Sequence, residues 1–297
     1  MLQGLKGFAQ FISVERGLMV FMIAVGAAFL IGETLAWSSA LYLGLIAFCG
    51  WSAVDAINNI FDVDSDVLSD PFRAQFTKKL GRFGLPIAAV FTVLSLALGA
   101  VTLLPYVLLF IALGIGFGVL YSAPLFRLKD TAYKPIVNVT VGAIPVMIVA
   151  AFFNVFSLNV LTLICLIGVT TSINSLWEDL ADFASDFNRG SHTITVIMGF
   201  RHGLIFAVIM GYAMIPLAIL IGILFELPIV YYAALIGLAS LMTIRIYRNR
   251  QILLNKDKED TGELFKLGKI LAKDFVIVAI VFTLALMLSS LFKIIIL

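Results

Sequence analysis

The sequence predicts an all-α integral membrane protein with nine membrane-spanning helices. Three observations predict it: an apolar composition, a series of long apolar runs, and an alternating placement of basic residues between those runs. Of the 297 residues, 62% are hydrophobic and 13% are charged, and the mean hydropathy is +1.09. This composition excludes an ordinary soluble domain.

Nine apolar runs are each long enough to cross the hydrocarbon core of a bilayer, which takes about 20 residues of helix. Pro105 separates the third run from the fourth. We expect the helices to form a single domain over residues 1–297, arranged around a central cavity. The runs lie at 17–35, 38–60, 83–103, 104–122, 135–156, 158–177, 202–224, 227–244 and 274–296.

Basic residues avoid every second link between these runs. The links after the first, third, fifth and seventh runs hold Glu33 and Glu226 but no Lys or Arg, and all basic residues except Lys293 lie in the N-terminus or in the other links. By the positive-inside rule, the N-terminus and those basic links are cytoplasmic, so the protein crosses the cell membrane nine times. One helix more or fewer would place basic links on both sides of the membrane, so this pattern also supports the count of nine. The basic links lie near 61–82, 123–134, 178–201 and 245–273.

A stripe of polar side chains closes the second run. Asn58, Asp62 and Asp66 are spaced by four residues, so on a helix they form one stripe about 12 Å long. Asp55 extends that stripe inward. Carboxylates at membrane depth are costly and by default mark a functional site. Stacked oxygen ligands suit a hard cation such as Mg²⁺, which takes its remaining ligands from water and phosphate.

Two plainer explanations of this stretch compete with a magnesium site. A calcium loop would need Gly and Glu where the chain has Val67 and Arg73. A merely solvated helix end is the simpler alternative for the stretch taken alone. The basic cluster that follows, which includes Arg73 and Lys78, is the usual companion of a phosphate ligand, although a topology signal explains part of it.

The other basic links carry further polar residues at helix ends. Tyr121 precedes the cations Arg127 and Lys129, and Asn138 lies one turn into the fifth helix, where a polar side chain needs a partner. Arg16, before the first helix, is equally consistent with an interfacial anchor and with a phosphate contact. The mixed charges and leucines of 245–273 indicate either a short amphipathic helix on the membrane surface or a solvated linker.

A second acidic stretch follows the sixth run. Asp179, Asp182 and Asp186 are spaced by three and four residues, and Glu178 lies four residues before Asp182, so they share one helical face. Such a cluster repels itself unless cations neutralise it. Because both acidic helix ends fall on the same side of the membrane, the sequence predicts one site between two facing helix ends.

These motifs resemble those of the UbiA superfamily of intramembrane prenyltransferases. The resemblance covers the chain from Arg16 to about Gly199. The sequence departs from the family pattern at 69–70, Ala74 and Ser185. The first family motif is met by Asn58, Asp62 and Asp66, followed by Pro71 and Arg73. The second is met by Asp179, Asp182 and Asp186, followed by Gly190 and Thr193. The loop between them is met by Tyr121, Ser122, Pro124, Arg127 and Lys129.

The resemblance implies an enzyme that uses Mg²⁺ to transfer a prenyl group from a prenyl diphosphate to a hydrophobic acceptor, at the cytoplasmic side of the membrane. The acceptor would be an aromatic or quinone precursor or, alternatively, a glyceryl phosphate ether. Two Mg²⁺ ions would be held by Asn58, Asp62, Asp66, Asp179, Asp182 and Asp186. Catalysis would rest on Asp62, Asp66, Asp182, Asp186 and Tyr121. The diphosphate would contact Arg16, Arg73, Lys78, Arg127, Lys129 and Asn138.

Two other classes of membrane protein share some of these features. A cation-coupled transporter also places carboxylates on membrane helices, but usually near the midplane, whereas most of those here lie at one edge. A CDP-alcohol phosphotransferase would need an Asp-x-x-Asp-Gly-x-x-Ala-Arg run, which the sequence lacks. We expect the lipid bilayer as a partner and no nucleic acid.

Overall fold

A computed structural model describes residues 2–32, 36–64, 66–254 and 262–296. Within these ranges, nine helical segments are long and apolar enough to cross a membrane. This confirms the predicted all-α class and number of spans, and the protein is an integral membrane protein. Glu33, in the link after the first span, lies outside the described residues.

The helices follow the apolar runs closely at most of their ends. Pro71 and Pro105 each stand at the first position of a helix, where the missing N–H has no intrahelical acceptor to lose. The helices are α1 (Leu2–Phe11), α2 (Val14–Gly32), α3 (Trp37–Phe61), α4 (Asp66–Ser69), α5 (Pro71–Leu80), α6 (Gly84–Val101), α7 (Pro105–Ser122), α8 (Lys134–Phe153), α9 (Leu158–Arg189), α10 (Ile194–Met198), α11 (Phe200–Leu224), α12 (Ile229–Arg248), α13 (Arg250–Leu254) and α14 (Gly262–Ile296).

Two spans extend well beyond their apolar runs. The helix α9 continues to Arg189 and so carries the whole second acidic motif, while α14 begins at Gly262 and absorbs the second half of the last basic link. The surface helix, one of the two alternatives for 245–273, is therefore wrong over 262–273. Leu264, Leu267 and Leu271 are buried in a core with residues of α9 and α11, so their helical spacing marks a packing face and not a membrane-surface helix.

The centre of the bundle is built by α2, α3, α8 and α9, which pack closely because small residues line their interfaces. A Cβ atom on Gly142 of α8 would lie 2.3 Å from the Thr171 hydroxyl of α9, and one on Gly168 would lie 2.6 Å from the Val139 carbonyl oxygen. These contacts fix the register of the two antiparallel helices. That register decides which polar residues of α8 face those of α9.

The N-terminal helix α1 is too short to cross a membrane and was not expected from the apolar runs. Its last turn is held by Asn59 of α3, whose side-chain amide donates to the carbonyl oxygen of Phe11 over 2.8 Å. Lys6 lies over the ring of Phe72, 5.1 Å from its centroid. The helix thereby covers α3 and α5 at the end of the bundle that carries the acidic motifs.

Candidate active site

A cavity of about 750 Å³ lies between the central helices and α11, α12 and α14. One end is strongly polar and the other is apolar. The polar wall contains both acidic motifs together with several cations. Its charged residues include Asp62, Asp66, Asp70, Glu178, Asp179, Asp182 and Asp186, and the cations Arg16, Arg73, Lys129, Lys134 and Arg189.

The first acidic motif does not lie on one continuous helix, contrary to the expectation. The helix α3 ends at Phe61, a turn covers Asp62 to Asp64, and α4 begins at Asp66. The spacing of four survives because helix-like hydrogen bonds cross the turn. The N–H of Asp62 donates to the Asn58 carbonyl over 2.9 Å, and the N–H of Asp66 donates to the Asp62 carbonyl over 2.9 Å. The carboxylates therefore still project into one cavity.

Cations from the link between α7 and α8 neutralise the start of this motif. Lys129 contacts the carboxylate of Asp62, and Arg127 lies 3.5 Å from it. The side-chain oxygen of Asn58 accepts hydrogen bonds from Ser122 over 2.9 Å and from Lys129 over 3.4 Å. Burial lowers the pKa of Lys129, against the opposing effect of Asp62.

Arg73 neutralises the end of the same motif. Its guanidinium donates to Asp66 over 2.9 Å. Asp70, the residue before α5, accepts from the backbone N–H of Arg73 over 3.1 Å and so caps that helix. Burial raises the pKa of the Asp66 carboxyl, against the opposing charge of Arg73. Asp70 and Pro71 together are a helix-start signal that fixes where Arg73 enters the site.

The second motif lies on continuous helix, as its spacing predicts. Buried Asp179 is paired with Lys134, at the start of α8, and Asp186 is paired with Arg189. The carboxylate of Asp182 makes no hydrogen bond or ion pair with another described residue, and Asp182 lines the cavity. It is thus the carboxylate of this motif that no cation of the described chain neutralises directly.

The two motifs come together across the cavity. The helix α4, which begins at Asp66, contacts α9, and Asp66 and Asp182 lie within electrostatic range of each other. The link between α7 and α8 also contacts the link after α9, because the backbone N–H of His192 donates to the carbonyl of Asp130 over 2.7 Å. The predicted meeting of two acidic helix ends is a feature of this structure.

A second set of polar residues lies deeper in the cavity, where Asp55 stands about two helical turns before Asp62 and Glu178 about one turn before Asp182. Arg16 of α2 is ion-paired with Glu178 of α9 over 2.8 Å, and Asn174 donates to the same Glu178 oxygen over 3.3 Å. Asp55 accepts from the indole N–H of Trp51 over 2.9 Å. Arg16, expected as a diphosphate contact, is thus committed to a carboxylate of this inner set.

Two predicted diphosphate contacts stand outside the cavity wall. Lys78 pairs with Asp64 over 3.0 Å, and the two side chains are 51% and 88% exposed, so neither reaches the polar end. Arg127 reaches Asp62 from behind and is also paired with Asp130. By contrast, Tyr121 and Asn138 line the cavity, and the side-chain nitrogen of Asn138 is buried without a hydrogen-bond partner.

Sequence reasoning missed the roles of Lys134, Asp130 and Arg189, all of which line the polar end. Lys134 was counted only as a basic loop residue, yet it is 9% exposed and balances Asp179. The available signal was its position four residues before Asn138, on the same face of α8.

The polar end suits Mg²⁺, although no three His, Cys, Asp or Glu side chains of the described chain form a ready-made metal site. Mg²⁺ is usually bound by one or two carboxylates, with water and substrate phosphates completing its shell. Asp62 with Asp66, and Asp182 with Asp186, offer such pairs. The cations that hold three of these carboxylates are the groups that a phosphate would attract.

These features define a helical membrane protein with two facing acidic motifs at one end of an amphipathic cavity. The chain belongs to the UbiA prenyltransferase family, whose model matches residues 19–262. It is therefore an intramembrane prenyltransferase. Among curated proteins compared by sequence, none matches the chain significantly.

Solved structures share the fold at low sequence identity. A structure described as digeranylgeranylglyceryl phosphate synthase is 19% identical, with a TM-score of 0.64 over 98% of this chain and 99% of that one. A UbiA homologue from Archaeoglobus fulgidus, bound to DMAPP and Mg²⁺, is 17% identical, with a TM-score of 0.64 over 93% and 98% of the two chains. An apo UbiA homologue from Aeropyrum pernix K1 is 19% identical, with a TM-score of 0.61 over 88% and 95%.

Proposed function

We propose that the protein transfers a prenyl group from a prenyl diphosphate to a hydrophobic acceptor in a reaction that requires Mg²⁺ and releases diphosphate. One observation carries the proposal: two carboxylate motifs, one from each half of the chain, face each other across a cavity that also holds Arg73, Lys129 and Arg189. Metal ions would balance the carboxylates, and a multiply charged anion would in turn balance the metal ions and these cations.

The diphosphate would bind between the two motifs. Asp62 and Asp66 on one side, and Asp182 and Asp186 on the other, would hold two Mg²⁺ ions, with Asn58 and Asp179 next to them. When bound, the metal neutralises the leaving diphosphate as the allylic C1–O bond breaks. Arg73 and Lys129, now paired with Asp66 and Asp62, would turn to phosphate oxygens.

The apolar end of the cavity would hold the isoprenoid tail and keep water from the allylic cation. Its wall is formed by α11, α12 and α14 and includes Met214, Leu235, Met242 and Phe282. Tyr121 lines the same cavity and is the candidate for stabilising the cation with its electron-rich ring. The structural relatives support the choice of donor, since Archaeoglobus fulgidus homologues bind DMAPP or GPP together with Mg²⁺.

The proposed orientation puts the polar end of the cavity in the cytoplasm, because basic residues concentrate in the links at that end. Cysteine labelling tests it on a variant without Cys49 and Cys165. His192→Cys and Glu226→Cys are both exposed sites. His192→Cys should react only when the reagent reaches the cytoplasmic side, and Glu226→Cys only from the opposite side. Labelling of both from one side contradicts the orientation.

The activity is tested by incubating the purified protein in lipid nanodiscs with radiolabelled geranylgeranyl diphosphate, a panel of acceptors and Mg²⁺. We expect prenylated product and diphosphate to form together, to stop in EDTA, and to be lost in Asp182→Asn. Asp64→Asn is the matched control, because the Asp64 side chain is 88% exposed, forms an ion pair with Lys78 and lies outside the cavity wall. Ion flux in proteoliposomes without any diphosphate release would instead favour a cation-coupled transporter.

A further inference from the structure

The inner polar set described above has a composition unlike that of the diphosphate end. We define the inner layer as Arg16, Asp55, Asn138, Asn174 and Glu178, all of which line the cavity. Glu178 precedes Asp182 by four residues and Asp186 by eight on α9, or about 6 Å and 12 Å of helix rise. Asn138 lies one turn inward from Lys134, which pairs with Asp179, so the antiparallel register brings Asn138 to the level of Asn174.

The five residues of the inner layer include no cation that is free to bind an anion. Its cation, Arg16, is held by Glu178 over 2.8 Å, and Asp55 is buried at 7% exposure. The nearby Lys134 adds no free positive charge, since it is paired with Asp179. A carboxylate or phosphate group entering this layer would therefore meet carboxylates whose cations are already engaged, in surroundings that screen charge poorly.

This layer and the adjoining Trp177 offer neutral hydrogen-bonding atoms that nothing in the described chain satisfies. The side-chain nitrogen of Asn138, the side-chain oxygen of Asn174 and the indole nitrogen of Trp177 are all buried without a hydrogen-bond partner. Each belongs to a residue of the cavity wall, and Trp177 is only 1% exposed. Two donors and one acceptor match a ligand that both accepts and donates hydrogen bonds. Left unsatisfied, such buried groups are costly.

We propose that the inner layer binds the polar group of the prenyl acceptor, and that this group is an uncharged hydroxyl, as in a phenol or an alcohol, and not a carboxylate or a phosphate. This inference rests on the proposed prenyl transfer. The reaction balances with the acceptor as nucleophile. The atom that bonds to C1 of the prenyl group is the acceptor's hydroxyl oxygen or, in a phenol, the ring carbon ortho to the hydroxyl group. The C1–O bond to diphosphate breaks with its electron pair, and the acceptor's proton leaves with the diphosphate.

Matched acceptor pairs that differ in charge test this inference in lipid nanodiscs with Mg²⁺ and geranylgeranyl diphosphate. Suitable pairs are methyl 4-hydroxybenzoate against 4-hydroxybenzoate, and an alkyl glycerol ether against its phosphate. We expect the neutral member of every pair that reacts to have a kcat/KM at least about tenfold higher, because an anion loses its hydration in a site that has no free counter-charge. An anionic member that reacts as well as its neutral partner, or failure of both pairs, overturns the inference.

Glu178→Gln sharpens the test, because it frees Arg16 to hold an anion. The ratio of anionic to neutral kcat/KM should rise by at least about fivefold, whereas the charge-conserving Glu178→Asp should leave that ratio near the wild-type value. An unchanged ratio in Glu178→Gln contradicts the inference. Donor binding is measured separately, as thermal stabilisation by Mg²⁺ with an unreactive prenyl thiodiphosphate. If Mg²⁺ and the thiodiphosphate do not stabilise the wild-type protein, that result counts against the proposed function itself. If they do stabilise it but the wild-type protein prefers the anionic acceptor, that result counts against this inference alone.

Discussion

The two acidic motifs have nearly the same spacing but rest on different backbones. The second lies within the 32 residues of α9, whereas the first crosses a turn between α3 and α4. Their charge balance differs too, since Lys129, Arg127 and Arg73 surround the first motif while Asp182 in the second has no ion-pair partner among the described residues. We call the second the rigid motif, because it lies within one helix, and the first the jointed motif, and we propose that the jointed motif rearranges its cations when a diphosphate binds.

The largest expected effect is on the motif without a direct counter-charge. Asp182→Asn should lower kcat/KM about a hundredfold or more, because the amide cannot replace a carboxylate as a metal ligand. Steady-state assays of diphosphate release measure it, with circular dichroism as the check that the variant is folded. Asp62→Asn, Asp66→Asn and Asp186→Asn should behave alike. Near-normal turnover in Asp182→Asn would mean that the second motif binds no metal.

The jointed motif is probed through its cation. Arg73→Met removes the partner of Asp66 and a phosphate contact, so we expect a loss of about tenfold to a hundredfold in kcat/KM, mostly as a raised KM for the donor. Arg82→Met is the matched control, since Arg82 is exposed and lies over the ring of Phe83, away from the cavity. Equal effects of the two changes on KM would remove Arg73 from the diphosphate site.

An effect on stability instead of turnover is expected where α8 joins the rigid motif. Lys134→Met leaves Asp179, at 3% exposure, as a buried and unpaired charge, which costs about 3–5 kcal/mol. The double variant Lys134→Met with Asp179→Leu should recover much of that loss, because no lone charge then remains. Melting temperatures in detergent measure both. A double variant no more stable than Lys134→Met would show that the pair is not what destabilises the single variant.

The smallest effect is expected at the surface pair beside the jointed motif. Lys78→Met breaks an ion pair whose side chains are both more than half exposed, so it should change stability by about 0–1 kcal/mol. The donor KM should also stay close to the wild-type value, because Lys78 lies outside the cavity wall. A clear rise in KM would return Lys78 to the diphosphate site.

Much of this architecture follows from local sequence. The apolar runs predict nine spans, and the spacing of Asp62, Asp66, Asp182 and Asp186 predicts two acidic clusters, because both signals depend only on helical periodicity. What depends on distant packing could not be read in the same way. The pairing of Lys134 with Asp179 and of Arg16 with Glu178 requires the register of α8 and α9 and the approach of α2.

Helix ends were the other limit of the sequence. The spacing of four across Asp62 predicts a continuous helix, and nothing local marks the turn there, since the hydrogen-bond pattern of a helix continues through it. Gly262 was equally hard to identify as a helix start. The charged residues after it suit a surface segment as well as the extension of a span, and only the burial of Leu264 and Leu267 distinguishes the two.

The most direct measurement of the central claim, that both motifs share one diphosphate and its metal ions, is a thermal-melting matrix of Mg²⁺ against an unreactive prenyl thiodiphosphate. Together the two should raise the melting temperature by clearly more than the sum of their separate shifts, because each alone leaves one sign of charge uncompensated. Asp62→Asn and Asp182→Asn should each abolish that excess. Purely additive shifts, unchanged in both variants, would mean that the two motifs do not share a site.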